Sequence, residues 1–312
     1  MLSVIDPLDA HQRELWGHQT VKLRHHLAEM DLFSDDSLAK LIETAAPKSL
    51  AMHTEGGTDP STWPSVARGT VPGAGVLEAV RDGKLWINLV GISEWDPRFA
   101  ELADKIFAEF AAQVPGLDVV KRKLGVLISS PKATVHYHID IPGQAIWQVR
   151  GRKRFIIYPA TEPFLRPAEL EEAVRSATYG VATYQPWYDE HAEPHDLAPG
   201  DALHWALNGP HRIENFDELS VSLTSEHWTP DIRRTYAMNY GNGLLRHYGW
   251  TPRSRAVTGP AFWAKVALTA AYRKSGLQNK KGYQRVATFT VDPDAHNGVR
   301  PLPPSQWAPP GA

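Results

Sequence analysis

The feature that most restricts this chain is a change of hydrophobic period near residue 119. From there to residue 228 apolar and polar residues alternate in short runs, at 119–129, 134–140, 145–149, 152–158, 201–206, 211–215 and 219–227. Turn residues such as Pro199-Gly200-Asp201 and Asn208-Gly209-Pro210 separate them. Period-two runs are strands with one buried face, and closely spaced short strands argue for a barrel or a sandwich. The flanks read differently. Residues 6–46 look helical, with Asp6-Pro7 as N-cap and first position, Leu15, Trp16, Leu23, Leu27 and Met30 at helical spacing, and a second short helix over 34–46. Residues 55–72 read as a loop, 85–90 as a strand, and Asp96-Pro97 opens a helix striped by Phe99, Leu102, Ile106, Phe107 and Phe110. A polar segment, 160–198, carries a helix over 167–176 and is expected over the barrel mouth. After Trp228 the chain turns helical, and from Asp292 it is proline-rich, to Pro309 and Pro310, and irregular. The expected organisation is therefore a helical and loop region over 1–83 packed on the barrel, a barrel domain over 84–228, and a helical extension with irregular tail over 229–312.

Composition removes whole classes of function. The 312 residues carry 33 basic and 35 acidic side chains, a net charge of −2, so there is no basic footprint for non-specific nucleic-acid binding. Cysteine is absent, which excludes disulfides, thiolate metal sites, iron–sulfur clusters and cysteine nucleophiles. The polar start, broken by Asp6, Pro7 and Asp9, does not read as a secretory signal. No apolar run approaches the roughly 20 residues needed to cross a bilayer. The expectation is a soluble, cytoplasmic protein without membrane contact. With 14 histidines and no cysteine, any metal must be held by nitrogen and oxygen. One helix, 260–275, is apolar almost all round (Phe262, Trp263, Val266, Leu268, Tyr272), which predicts burial or a homodimer interface.

Residues i and i+2 of a strand point the same way, so His-x-Asp offers two adjacent metal ligands. Three pairs fit His-x-Asp/Glu: His53 with Glu55, His138 with Asp140, and His191 with Glu193. The first and last fall in expected loops. Only His138-Ile139-Asp140 ends a clear strand. Downstream, one turn, one strand and a second turn bring His211 back beside that pair, opening the next strand. Two imidazoles and a carboxylate on one face are the ligand set of a ferrous oxygenase, with open positions remaining. Among the basic run Arg150, Arg152, Lys153 and Arg154, strand phase turns Lys153 inward, where an ammonium needs an anionic partner.

These residues resemble the JmjC/cupin-like Fe(II)- and 2-oxoglutarate-dependent oxygenases, especially small hydroxylases akin to the asparaginyl hydroxylase of hypoxia-inducible factor. The family pattern stands as His138, Asp140, Gln148, Gly151, Lys153, Arg154, Pro159, Pro199-Gly200-Asp201 and His211. The resemblance implies a double-stranded β-helix (jelly-roll) wrapped by N- and C-terminal helices. It also implies Fe(II) on His138, Asp140 and His211, and 2-oxoglutarate anchored by Lys153. A co-substrate-contacting Asn of the family falls at Gln144. The family's Thr or Ser before the motif His falls at Val135, leaving the adjacent Thr134 as the candidate in its place. The Trp that ends the last barrel strand matches Trp228.

Alternatives stay open on the residues themselves. His136 is a third imidazole at the metal, a wall of the site or a hydrogen-bonded core histidine, and His204 with Asn208 echoes a plain cupin's second motif. A metal cupin that does not use 2-oxoglutarate and a non-catalytic binding protein on the same fold are the rival functions. The substrate, peptide or small molecule, is not named by any motif.

Overall fold

The computed structural model describes residues 3–54, 63–176, 182–277 and 286–307. Its first helix, α1 (Ala10–Leu15), is set by a capping box in which the Gln12 amide donates to the Asp9 carboxylate and Asp9 N–H donates to Gln12. Val21–Arg24 is then a strand, β1, where helical spacing predicts a helix. Val21 and Leu23 are buried while Lys22 and Arg24 point out to the Asp201 carboxylate. Four residues alternate too briefly to outweigh the helical pattern around them, and the pairing partner lies 180 residues away. Helix α2 (Asp35–Thr44), capped by Ser34, buries Leu38, Leu41 and Ile42. Strands β2 (Leu50–Thr54) and β3 (Ser65–Ala67) follow, the latter inside the expected loop, of which residues 55–62 lie outside the described residues. After α3 (Gly73–Asp82) and β4 (Leu85–Leu89), Asp96 caps α4 (Pro97–Gln113), which buries the whole phenylalanine stripe.

The period-two region forms as read: β5 (Lys121–Ser129), β6 (Thr134–His138), β7 (Gly143–Arg150) and β8 (Lys153–Ile157). Helix α5 (Pro167–Ser176) and β9 (Glu193–Leu197) interrupt it, and β10 (Asp201–His204), β11 (His211–Asn215) and β12 (Ser220–Trp228) complete it. Helices α6 (Pro230–His247) and α7 (Gly259–Lys274) precede β13 (Ala287–Val291) and β14 (Val299–Pro301), which lies in the expected irregular tail. Pro309 and Pro310 of that tail are outside the described residues.

Two sheets result. One is four-stranded, ordered β6-β11-β8-β9; the other has ten strands, β1-β10-β7-β12-β5-β4-β2-β3-β13-β14. Strands β5 to β12 pass between the two sheets in the order of a double-stranded β-helix, a jelly-roll, with β8 and β9 both in the smaller sheet. Strands from both flanks extend the larger sheet, so the flanking regions are not purely helical.

Alternation decides what each face does. On β7, Trp147 and Val149 join the large apolar core with Leu124, Val126 and Leu223 under α2 to α4, while Ile146 faces inward with Phe155, Ile157, Leu203, Trp205 and Ile213. Each buried side chain of this size stabilises by roughly 1.5–3 kcal/mol. The helix-covered face, with many more of them, supplies most of that, which leaves the inner face free to hold polar groups. The described residues between 160 and 192 pack on the outside of the smaller sheet rather than over a mouth. Phe164 and Tyr188 cover Tyr137, Ile156 and Tyr158, and Leu165 and Leu170 reach Ile139. Helix α7 buries only Phe262 and Lys265, and Trp263 remains 62% exposed. No described helix is long and apolar enough to cross a membrane.

Candidate metal centre

β6 and β11 are antiparallel, with His138 directly opposite His211. The turn 206–210 that brings His211 back is held by Asn208, in the left-handed region at φ 60°, whose amide donates to the carbonyls of Asp140 (2.6 Å) and Ile141 (3.1 Å). The same side chain thus joins the segments that carry two of the three expected ligands. The ligand atoms of His138, Asp140 and His211 all lie within 4.8 Å of one another, the one such cluster among the described residues. His211 Nε2 is 3.5 Å from Asp140 Oδ2.

Both imidazoles are oriented by backbone. His138 Nδ1–H donates to the His136 carbonyl at 2.7 Å, and His211 Nδ1–H donates to the Gly209 carbonyl at 3.0 Å. Protonation at Nδ1 leaves each Nε2 lone pair free, the arrangement a metal-binding histidine needs. Phe155 stacks on His211 at 4.9 Å and 17°, and Trp205 packs at 4.9 Å, which fixes the ring plane. Burial, and then His138, hold His211 well below the usual imidazole range. Burial pushes the Asp140 carboxyl up, opposed by His138. Two imidazoles that present Nε2 and a carboxyl whose charge lacks solvation gain from a divalent cation, and the donor set fits Fe(II).

Lys153 starts β8 on the face of Phe155 and Ile157, as strand phase predicts, and is only 2% exposed. Among the described residues no hydrogen bond or ion pair engages its ammonium, and burial pushes it down to about 7. The other basic residues of the run turn outward. Arg150 reaches Asp35, Arg154 makes a bidentate pair with Asp196, and Arg152 lies over Phe216. The local motif explains the placement. Gln148 is fully buried and its amide donates to the carbonyls of Arg150 and Gly151, while its oxygen accepts from Ser222. Gly151 has φ 68°, and a Cβ there would meet the Leu219 carbonyl oxygen at 2.3 Å. Together they set the turn from which Lys153 emerges inward.

Gln144 is buried in phase with Ile146 and Gln148, so it lies on the inner face, opposite Glu226. Thr134 does not. A bulge in β6 puts Val135 opposite Ile213 and against the inner apolar cluster, leaving Thr134 exposed opposite Glu214. The expectation that Thr134 stands in beside the co-substrate therefore needs correction, because one extra residue in a strand reverses the phase beyond it. His136 is outside the metal cluster and faces Trp63 at 5.9 Å. His204 is structural: its Nδ1–H donates to the Gln144 carbonyl, its Nε2 accepts from Gly17 N–H, and it stacks on Trp16 at 4.0 Å. Asp201 ties Lys22 and Arg24 to β10 and takes no part in the cluster. His53 lies in β2 rather than a loop, and its partner Glu55 is outside the described residues. His191 ends the short helical turn Pro186–His191 and Glu193 opens β9, away from the triad.

Glu226, which the sequence reading missed, projects inward from β12. Burial, and then Asp140, push its carboxyl up to about 7. Its only sequence signal is the phase of the last strand, shared with Ser222 and Thr224.

The jelly-roll with this inward-facing site is a fold the chain shares with solved structures. An X-ray structure of E. coli ycfD superposes with a TM-score of 0.51 at 15% identity, covering 90% of this chain and 71% of that one. A second structure, of YcfD described as a ribosomal oxygenase in complex with cobalt and 2-oxoglutarate, gives 0.49 at 14% identity over 90% and 70%. No family model matches the chain and no curated protein matches it.

Proposed function

We propose that this protein is an Fe(II)- and 2-oxoglutarate-dependent oxygenase, and specifically a hydroxylase. The reading is carried by one observation: a buried lysine with no ion pair among the described residues shares an inner barrel face with two imidazoles and a carboxyl that converge on one point. His138, Asp140 and His211 would hold the metal. When bound, iron supplies dioxygen activation coupled to oxidative decarboxylation of 2-oxoglutarate to succinate and CO2, with one oxygen atom available to a substrate C–H bond.

The chain's own residues bind, orient and exclude. Lys153 takes the far carboxylate of the dicarboxylate, which supplies the anion its buried ammonium lacks. Gln144 stands on the same inner face as a hydrogen-bonding side chain. Ile146, Phe155, Ile157, Trp205 and Ile213 keep water from the space between. A metal cupin without 2-oxoglutarate would leave Lys153 buried with no counter-charge, which disfavours that rival.

Release of succinate from 2-oxoglutarate, with iron and ascorbate present, tests the proposal against Asp140→Ala and Lys153→Ala. Metal-dependent succinate in the wild type, lost in Asp140→Ala, supports it. Iron binding with no turnover of 2-oxoglutarate favours the metal cupin. A homodimer through α7 remains part of the proposal, supported by the exposed Trp263 and Leu268 and tested by light scattering. Cytoplasmic residence, supported by the cysteine-free composition, is tested by cell fractionation.

A further inference from the structure

The whole-chain charge of −2 averages over a steep segregation. Between Thr229 and Leu277, which span α6, α7 and the loop joining them, the sequence holds eight Lys and Arg but one acid, Asp231. The same sign continues through Lys280, Lys281 and Arg285 before the next acid, Asp292, so the remainder of the chain is net acidic. Charge set apart in this way points to an anionic partner, a footprint that the overall balance conceals. Folding does not neutralise it. Arg246 and Arg255 are taken by Glu171, and the buried Lys265 donates to the Ser254 carbonyl. Arg233, Arg234, Arg253, Arg273 and Lys274 are exposed and form no ion pair among the described residues.

Helix geometry gathers these groups among rings. Arg233, Tyr236 and Tyr240 share one face of α6 at helical spacing. The last turn of α7 crosses that face: the Arg273 guanidinium lies over the Tyr240 ring at 4.7 Å and donates to the Tyr236 hydroxyl at 3.4 Å, and Tyr272 meets Tyr248 edge to face at 6.5 Å. After Tyr248, α6 ends in a Schellman turn. Gly249, at φ 83°, gives its N–H to the Arg246 carbonyl, and Trp250 N–H donates to the Leu245 carbonyl, both at 2.9 Å. The turn sets the backbone yet leaves Tyr248 57% and Trp250 70% exposed, with His247 against Tyr248 at 5.1 Å and Arg253 following.

We propose that this band of the C-terminal extension binds single-stranded nucleic acid. Guanidinium forks match phosphate oxygens, and exposed flat rings offer stacking platforms to unpaired bases. A duplex keeps its bases stacked and would use only the charges. An anionic membrane would use the charges without regard to bases. The inference is independent of the oxygenase reading, because none of these residues belongs to the metal centre.

The experiment is fluorescence anisotropy of the full chain with end-labelled oligouridylate and oligothymidylate of about 15 nucleotides and with a duplex of the same length. Cosedimentation with vesicles of phosphatidylcholine and phosphatidylserine is the membrane arm. Saturable binding of a single strand, at least about fivefold tighter than the duplex, is expected. Its log–log salt slope should be about −2 to −3.5, for the phosphates that the exposed, unpaired basic side chains can neutralise. The tighter of the two strands identifies RNA or DNA as the source. Arg233→Gln and Arg234→Gln together should flatten the slope by about one, and Trp250→Ala should weaken binding about fivefold or more at an unchanged slope. Arg152→Gln, an exposed arginine of the barrel, should change neither. No saturable binding at low salt, a duplex bound as tightly as either strand, equal losses in Arg152→Gln, or vesicle binding without oligonucleotide binding overturns the inference.

Discussion

His138 and His211 face each other across β6 and β11 with ring centroids 4.1 Å apart, and each gives its Nδ1 proton to the carbonyl two residues before it. The same local device therefore presents two Nε2 atoms from opposite strands to one point. Asp140 completes the point from the segment after β6, whose backbone carbonyls Asn208 holds.

Asp140→Ala should fold normally, because the side chain contributes no apolar burial and Asn208 bonds only its backbone. Its iron affinity should fall by about a hundredfold or more, as expected when one of three ligands is lost. Circular dichroism and bound-iron analysis on the same sample check both halves of this expectation.

Lys153→Ala should keep iron and raise the 2-oxoglutarate requirement by about tenfold or more, since a desolvated charged hydrogen bond is worth roughly 1.5–3 kcal/mol. Arg152→Ala should change little, because Arg152 lies over Phe216 outside the barrel. Comparing the 2-oxoglutarate dependence of succinate formation in the two variants separates an anchor from a solvated charge.

The pH dependence follows from the same residue. Lys153 is pushed down to about 7 by burial, and the proposed dicarboxylate would raise it again. Below pH 7 the ammonium is already charged, so affinity is insensitive there. Above pH 7 binding must take up a proton, and affinity should fall by up to about tenfold per pH unit. Calorimetry from pH 6 to 9 should show this slope in the wild type and lose it in Lys153→Met.

Legibility followed the range of the interactions. The pair His138 and Asp140 could be read because strand phase is local, and Lys153 because the same alternation separates it from Arg152 and Arg154. β1 was not legible: its four residues are held as a strand by pairing with β10, far along the chain. The bulge in β6 escaped for a related reason, since pairing with β11 decides it, and it moved Thr134 out of the site.

Gly151→Ala should cost about 2 kcal/mol or more, through a positive φ and a Cβ 2.3 Å from the Leu219 oxygen. Because the turn also aims Lys153, the variant should lose 2-oxoglutarate affinity beyond its loss of stability. Urea unfolding and ligand titration at a temperature where the variant is folded measure the two effects separately.

Glu171 is buried between Arg246 and Arg255 and also accepts from Asn242, joining α5 to α6 and the following loop. Glu171→Ala should destabilise by about 1.5–3 kcal/mol, because it removes the charged hydrogen bonds that join these elements while both guanidinium groups keep part of their solvation. Thermal unfolding should register a large drop in midpoint, with the metal affinity of the folded fraction unchanged.

The central claim is that metal and dicarboxylate share one site inside the barrel. Its most direct test is anaerobic titration of 2-oxoglutarate into the Fe(II)-loaded and the metal-free protein. The account predicts saturable one-to-one binding that the metal strengthens by at least about tenfold and that Lys153→Ala weakens. Equal binding with and without iron, or none in either form, would contradict it.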